Sequence, residues 1–156
     1  MPLLGIPSLL SPELLKCLAE MGHGDTLVLA DAHFPSHSIA QKAGCSVIRY
    51  DGVEMPQLLE AIMSVLPIDT YIESPIALMQ VEPSDADKFS PNPPIWSDYA
   101  KVHPHFSLLT SSSGKSRVQL LPREQFYRAA ERAYCVVHTG ELAQYANIII
   151  TKGVAI

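Results

Sequence analysis

Basic charge is scarce in this chain: 11 Lys and Arg stand against 16 Asp and Glu over 156 residues, a formal net charge of −5. Binding a phosphate backbone needs a basic face that displaces counterions, so the balance argues against a nucleic-acid partner. Long apolar runs are missing too. None approaches the roughly 20 residues that a membrane-spanning helix requires. Met1 to Leu10 has no basic region ahead of an apolar stretch and no small-residue cleavage site, so no secretory leader is expected. These absences predict a cytoplasmic protein with no membrane partner. Cysteine is sparse: Cys17, Cys45 and Cys135 are odd in number and lack CxxC spacing, which fits neither a disulfide framework nor a zinc knuckle. They are expected to be reduced and buried as small apolar side chains. There is no Gly-rich phosphate loop, no internal repeat and no low-complexity tract, so a nucleotide site has no support.

What is present is apolar residue, 47% of the chain, with a mean hydropathy of +0.14. At this length that builds one core, so residues 1–156 are read as a single domain. It also leaves apolar surface for a second copy, and a homo-oligomer is expected.

Ser11-Pro12 reads as N-cap and first helical residue, with Leu14, Leu15, Leu18 and Met21 at helical spacing up to Gly22. Thr26 to Ala30 is a short run of β-formers suited to a strand covered on both faces. Ser46 to Tyr50 predicts a second strand. Pro56 opens a second helix with a stripe of Leu58, Leu59, Ile62, Val65 and Leu66. The order to this point reads helix, strand, strand, helix. Thr70 to Glu73 and Ala77 to Val81 are candidate strands broken at Pro75. Glu82 to Pro94 is read as loop, Ile95 to Lys101 as a short helix, and Ser111 to Gly114 as a flexible loop. Val118 to Leu121 predicts a strand, Pro122 to Ala133 a third helix, and Tyr134 to Val137 and Ile148 to Ile150 two last strands. Helices alternating with strands imply an α/β layered domain.

Three polar clusters sit at the ends of apolar strands, where open α/β sheets place ligands. In the first, His23 stands between Gly22 and Gly24, with Asp31 and His33 beyond the following strand. Imidazole both gives and takes protons near neutral pH. The competing reading is a loop histidine that only hydrogen-bonds a carbonyl. The second pairs Arg123 and Tyr127, four apart on one helix face, as donors for sugar hydroxyls; a solvated face is the alternative. The third is Tyr145-Ala146-Asn147, which also reads as a plain turn into a strand. His23, Asp25, Asp31 and His33 are metal-ligand types and raise a metal-dependent hydrolase as an alternative. A strand between Asp25 and Asp31 separates them by about 20 Å at ~3.3 Å per residue, so they cannot surround one ion in a single chain. No metal and no cofactor is expected. His103 and His105 are read as surface loop residues, and Ser36-His37-Ser38 lacks a nucleophile elbow.

Together the segments GHGDTLVLADAHFP, DGVEMPQLLEAI, LPIDTYIESP, REQFYRAAERA and GELAQYANIIITKGV resemble the fucose mutarotase and ribose pyranase family, in consistent order over nearly the entire chain. The resemblance implies a three-layer α/β/α sandwich with a mixed, mostly parallel sheet, and a monosaccharide site exchanging α and β anomers. By it, His23 falls on the proton-donating histidine, and Asp31, Arg123, Tyr145 and Asn147 on sugar-contacting positions. Asp69, Met79 and Tyr127 match further contacts of the animal-type fucose branch. Arg123 and Tyr127, with DTYIESP and PPIWSDY, look like that branch, making L-fucose the expected substrate. Ala146 and His33 depart from it, the former toward ribose pyranases, and keep D-ribose as the alternative sugar. A non-catalytic sugar-binding module is the other alternative.

Mutarotation needs a proton delivered to the ring oxygen while the anomeric hydroxyl loses one; Asp31 or a water is read as the base. His23 and Asp31 flank one strand yet are assigned to one site. The expectation is therefore a site near a subunit interface, with His23 supplied by a neighbour.

Overall fold

A computed structural model describes residues 2–109 and 117–156. The first helix, α1 (Pro12–Glu20), starts as its sequence requires: the Ser11 hydroxyl accepts from the Leu14 N–H at 3.1 Å, satisfying one of the amides that a helix start leaves free. Next come β1 (Thr26–Ala30), α2 (Ser36–Ala43), β2 (Ser46–Tyr50), α3 (Met55–Met63) and β3 (Ile76–Met79). A 3₁₀ turn at Pro83–Asp85 leads to α4 (Pro94–Val102) and a second 3₁₀ segment at Pro104–Leu109. The chain closes with β4 (Val118–Leu121), α5 (Arg123–Ala130), β5 (Cys135–Thr139) and β6 (Ile148–Thr151).

The strands form one sheet in the order β2-β5-β1-β6-β3-β4. β1, β2 and β5 pair in parallel, as do β3 and β4, while β6 is antiparallel to both β1 and β3. Five strands therefore run one way and β6 alone runs back between them. Alternation along the strands divides the core in two. Leu27 and Leu29 of β1, with Ile148 and Ile150 of β6, pack under α1, α3 and α4. Val28 and Ala30, with Ile149 and Met79, pack under α2 and α5. The result is the expected α/β/α sandwich with a mixed, mostly parallel sheet.

Two expectations about elements fail. Thr70 to Glu73 is not a strand, because side chains take its backbone groups: the Asp69 carboxylate accepts from the Tyr71 N–H at 2.9 Å and Arg117 donates to the Ile72 carbonyl at 2.9 Å. Local bonds of that kind compete with a ladder. The helix α2 was not expected between the first two strands. It buries only Ser36, Ile39 and Ala40, too thin a stripe to register as helical periodicity. The third predicted helix also stops at Ala130, three residues early. Cys45 is partly exposed, unlike the buried Cys17 and Cys135. The Ser111 to Gly114 loop lies outside the described residues.

Candidate active site

The carboxyl ends of β1, β3 and β4 and the start of β6 meet at one end of the sheet, the usual ligand position in such folds. A cleft of about 370 Å³ opens there, lined by Asp31, Met79, Arg123, Tyr127, Tyr145 and Asn147. Six of the eight residues singled out from the sequence thus share one cavity. Asp31 follows β1 and is buried, its carboxylate accepting from the His33 N–H at 3.0 Å. The Asn147 side chain accepts from the Asp31 N–H at 2.7 Å, which ties the two strand ends together. Burial pushes the Asp31 carboxyl above its ordinary value, outweighing the hydrogen bonds it receives.

Tyr145 is the one non-glycine residue with positive φ among those described, at 61°. Such a conformation costs of order 1–3 kcal/mol and persists only where neighbours dictate it. Here the Trp96 indole donates to the Tyr145 carbonyl at 2.9 Å and the Tyr99 hydroxyl to the Ala146 carbonyl at 2.6 Å. The Tyr145 hydroxyl donates to Asp85 at 2.7 Å and accepts from the Glu82 N–H at 3.1 Å. Burial and the Asp85 carboxylate raise the phenol above its usual range. Ala146 itself has no positive φ, so this turn does not demand a glycine there. On α5, Arg123 lies over the Tyr127 ring at 5.5 Å from its centroid, and Phe34 meets the same ring edge-on.

His23 and Asp69 occupy the opposite end of the sheet. Asp25 closes the turn before β1 by accepting from the Gly22 N–H at 2.7 Å, and Gly24 adopts φ 89°, a geometry that favours glycine. His23 therefore projects at the turn's tip, its side chain 47% exposed. Its Nε2 lies 3.1 Å from Asp69 Oδ1. A carboxylate only accepts, so Nε2 carries the hydrogen and Nδ1 is the nitrogen left to exchange a proton. Burial pushes the Asp69 carboxyl up, but the Tyr71 N–H, His23 and Arg117 outweigh it and hold it below its ordinary value.

The sequence grouped Asp69 with the other sugar contacts; in one chain it pairs with His23 instead, with β1 between them and Asp31. His23 and Asp25 are likewise parted from Asp31 and His33, and among the described residues no three His, Cys, Asp or Glu side chains are placed to hold one metal ion. Ser36 Oγ sits 2.8 Å from His138 Nδ1, but both are buried and neither lines the cleft.

Three contributors escaped the sequence reading. Glu82 and Asp85 bring backbone and carboxylate to Tyr145 from a stretch read as plain loop. Arg117 donates to the carbonyls of Ile72 and Asp69, anchoring the loop that carries the Asp69 carboxylate. No local pattern marks any of the three, because each acts across a long sequence separation.

The profile of the RbsD / FucU transport protein family matches residues 4–155. Fucose mutarotase of Mus musculus is 52% identical over 149 residues, covering 96% of this chain and 92% of the mouse protein. The crystal structure of fucose mutarotase from Streptococcus pneumoniae in complex with L-fucose superposes with a TM-score of 0.84 at 42% identity, covering 99% of this chain and 100% of that one. Bacillus subtilis RbsD complexed with D-ribose covers 100% of both chains with a TM-score of 0.66 at 24% identity, a likeness of fold alone. Half-identity across nearly the whole of both chains and a profile match from one end to the other agree with the shared sandwich: the chain belongs to the RbsD / FucU transport protein family.

Proposed function

We propose that this chain is an isomerase, an L-fucose mutarotase that opens and recloses the pyranose ring and uses no metal or cofactor. The observation that carries the reading is the convergence of Asp31, Arg123, Tyr127, Tyr145 and Asn147 on one cleft, a set of donors and acceptors suited to a polyhydroxylated ring. Half-identity to a fucose mutarotase and a fold shared with a fucose-bound one favour fucose over ribose.

The reaction moves two protons. His23 gives one from Nδ1 to the ring oxygen while the anomeric hydroxyl loses one to Asp31, directly or through water. The bond between the anomeric carbon and the ring oxygen breaks, leaving an open-chain aldehyde. Rotation about the adjacent carbon–carbon bond presents the other carbonyl face, and reclosure returns both protons. Asp31 suits the base role because burial has made it more basic than an ordinary carboxylate. Asp69 orients the imidazole by accepting from its Nε2.

His23 and Asp31 stand at opposite ends of β1, so the catalytic set closes only when a second subunit presents its His23–Asp69 pair to this cleft. Exposed Tyr71 and Ile72 beside that pair support a covered surface in a homo-oligomer. The cytosol is the proposed compartment, consistent with three free thiols.

NMR magnetisation transfer between L-fucose anomers tests the activity, with D-ribose as the comparison. His23→Ala is expected to slow exchange about 10²-fold or more with the fold intact. Exchange no faster than the spontaneous rate, with sugar still bound, leaves only a sugar-binding module. Mixing His23→Ala with Asp31→Asn subunits should restore exchange that neither supports alone; no recovery after subunit exchange rejects the shared site.

A further inference from the structure

The last turn of α1 holds no basic side chain, although the final carbonyls of a helix lack partners and carry its negative pole. Lys152, immediately after β6, supplies the cation from the far end of the chain. Its ammonium donates to the Leu18 carbonyl at 2.7 Å and to the Met21 carbonyl at 2.5 Å. The backbone of the same residue holds the turn that carries His23: its N–H donates to the Asp25 carbonyl and its carbonyl accepts from the Gly24 N–H, both at 2.9 Å. Its other edge faces the segment that carries Asp69. There Lys152 is bridged to Ile68, and the Asp69 N–H donates to the Thr151 carbonyl at 3.1 Å.

We propose that Lys152 is the positioning residue of the His23–Asp69 pair, its ammonium fixing the end of α1 from which the His23 turn departs. The kinetic consequence rests on the mutarotase reading above. His23 stands between Gly22 and Gly24, and glycines accept many conformations, so the setting of this turn is imposed from outside. On the C-terminal side the backbone bonds of Lys152 impose it. On the N-terminal side the ammonium does so through the peptide unit that joins Met21 to Gly22. That unit is planar, so holding the Met21 carbonyl also aims the Gly22 N–H, which donates to the Asp25 carboxylate at 2.7 Å. Without the ammonium the carbonyl turns to water, the plane rotates, and the Gly22 N–H leaves Asp25.

Lys152 does not touch the sugar. The cleft is built at the start of β6, beside Asn147, and Lys152 follows the other end of that strand. Its loss therefore acts on the proton transfer and leaves sugar binding in place.

Full-length Lys152→Met keeps the apolar stem and loses both donors. Anomer-exchange NMR over a range of L-fucose concentrations should show kcat per folded subunit lowered at least about tenfold with KM within about twofold, because misplacing a reacting group by near 1 Å can cost about 10²-fold. Lys152→Arg, whose fork again offers two donors, should regain part of the loss. A kcat within about twofold of the wild type, a loss carried by KM, or an Arg variant no better than Met overturns the proposal. Should Lys152→Met fail to fold, Lys152→Gln keeps one donor and replaces it, with an expected fall in kcat of at least about threefold. A crystal structure of the variant reads the geometry independently of activity. The separation of His23 Nε2 from Asp69 Oδ1, 3.1 Å in the native chain, should exceed about 3.5 Å; an unchanged pair overturns the proposal even if kcat falls. A wild type that does not speed anomer exchange removes the mutarotase reading, and this separation still decides the role of Lys152.

Discussion

Gly153→Ala tests whether the His23–Asp69 pair depends on the close approach of two backbones. Gly153 follows the end of β6, where its N–H donates to the Pro67 carbonyl at 2.8 Å. A Cβ at Gly153 would lie 2.6 Å from both the Ile68 carbonyl oxygen and the Asp69 Cα. That is about 0.8 Å inside ordinary van der Waals contact at 3.4 Å, and both obstacles are backbone, with no rotamer to swing away. Meanwhile the turn bearing His23 is held to the same segment, the Gly24 N–H donating to the Lys152 carbonyl at 2.9 Å. Displacing Asp69 by about 0.8 Å while His23 stays tied to Lys152 stretches their 3.1 Å contact to nearly 4 Å, beyond hydrogen-bond range. Overpacking of this kind costs about 1–3 kcal/mol, and a misplacement near 1 Å can cost about 10²-fold in rate. Thermal denaturation and anomer-exchange NMR on one preparation read both effects. Gly52→Ala, with open space at its Cβ, is the control and should change neither. A Gly153→Ala protein with wild-type Tm and exchange within twofold refutes the reasoning.

Asp31→Asn separates stability from activity: a folded pKa above the unfolded one means that the stabilising contribution is complete below the unfolded value near 3.9 and is lost as pH rises through the folded value. The variant should therefore match or exceed the wild-type Tm at pH 7, with a gap that shrinks toward pH 4, while exchange falls about 10²-fold; a larger Tm deficit at pH 7 than at pH 4 would contradict the burial argument. Tyr145→Phe removes a partner from both Asp85 and the Glu82 N–H, costing about 1–2 kcal/mol, or roughly 3–6 °C in Tm by calorimetry, and an unchanged Tm would show those bonds to be idle. Arg117→Ala should lower kcat about tenfold with KM nearly unchanged, because the loop it anchors lies across the sheet from the cleft, and Arg117→Lys should recover part of the loss; a change confined to KM would place Arg117 at the sugar instead.

Much of the scaffold is legible residue by residue. Ser11-Pro12 sets the start of α1 through a local hydroxyl-to-amide bond, and the TLVLA run is a strand because both of its faces are covered. Legibility ends where long-range contacts decide. The Thr70 to Glu73 segment has strand-like composition, but Arg117, more than forty residues away, takes its carbonyls. The α2 helix presents a minimal apolar stripe and is held by packing against β2 and β5.

By itself the sequence determined the alternation of helices and strands, the resemblance that points to a sugar site, and, from the length of one strand, that His23 and Asp31 cannot meet within a single chain. These follow from local periodicity and from the fixed rise of an extended backbone. Only the tertiary structure decided that Asp69 joins His23, that Asp85 holds Tyr145 while Arg117 holds the Asp69 loop, and that three scattered cysteines share one cavity. Each of those facts depends on which strands lie side by side, and the β2-β5-β1-β6-β3-β4 order is a property of the packed sheet that no segment carries alone.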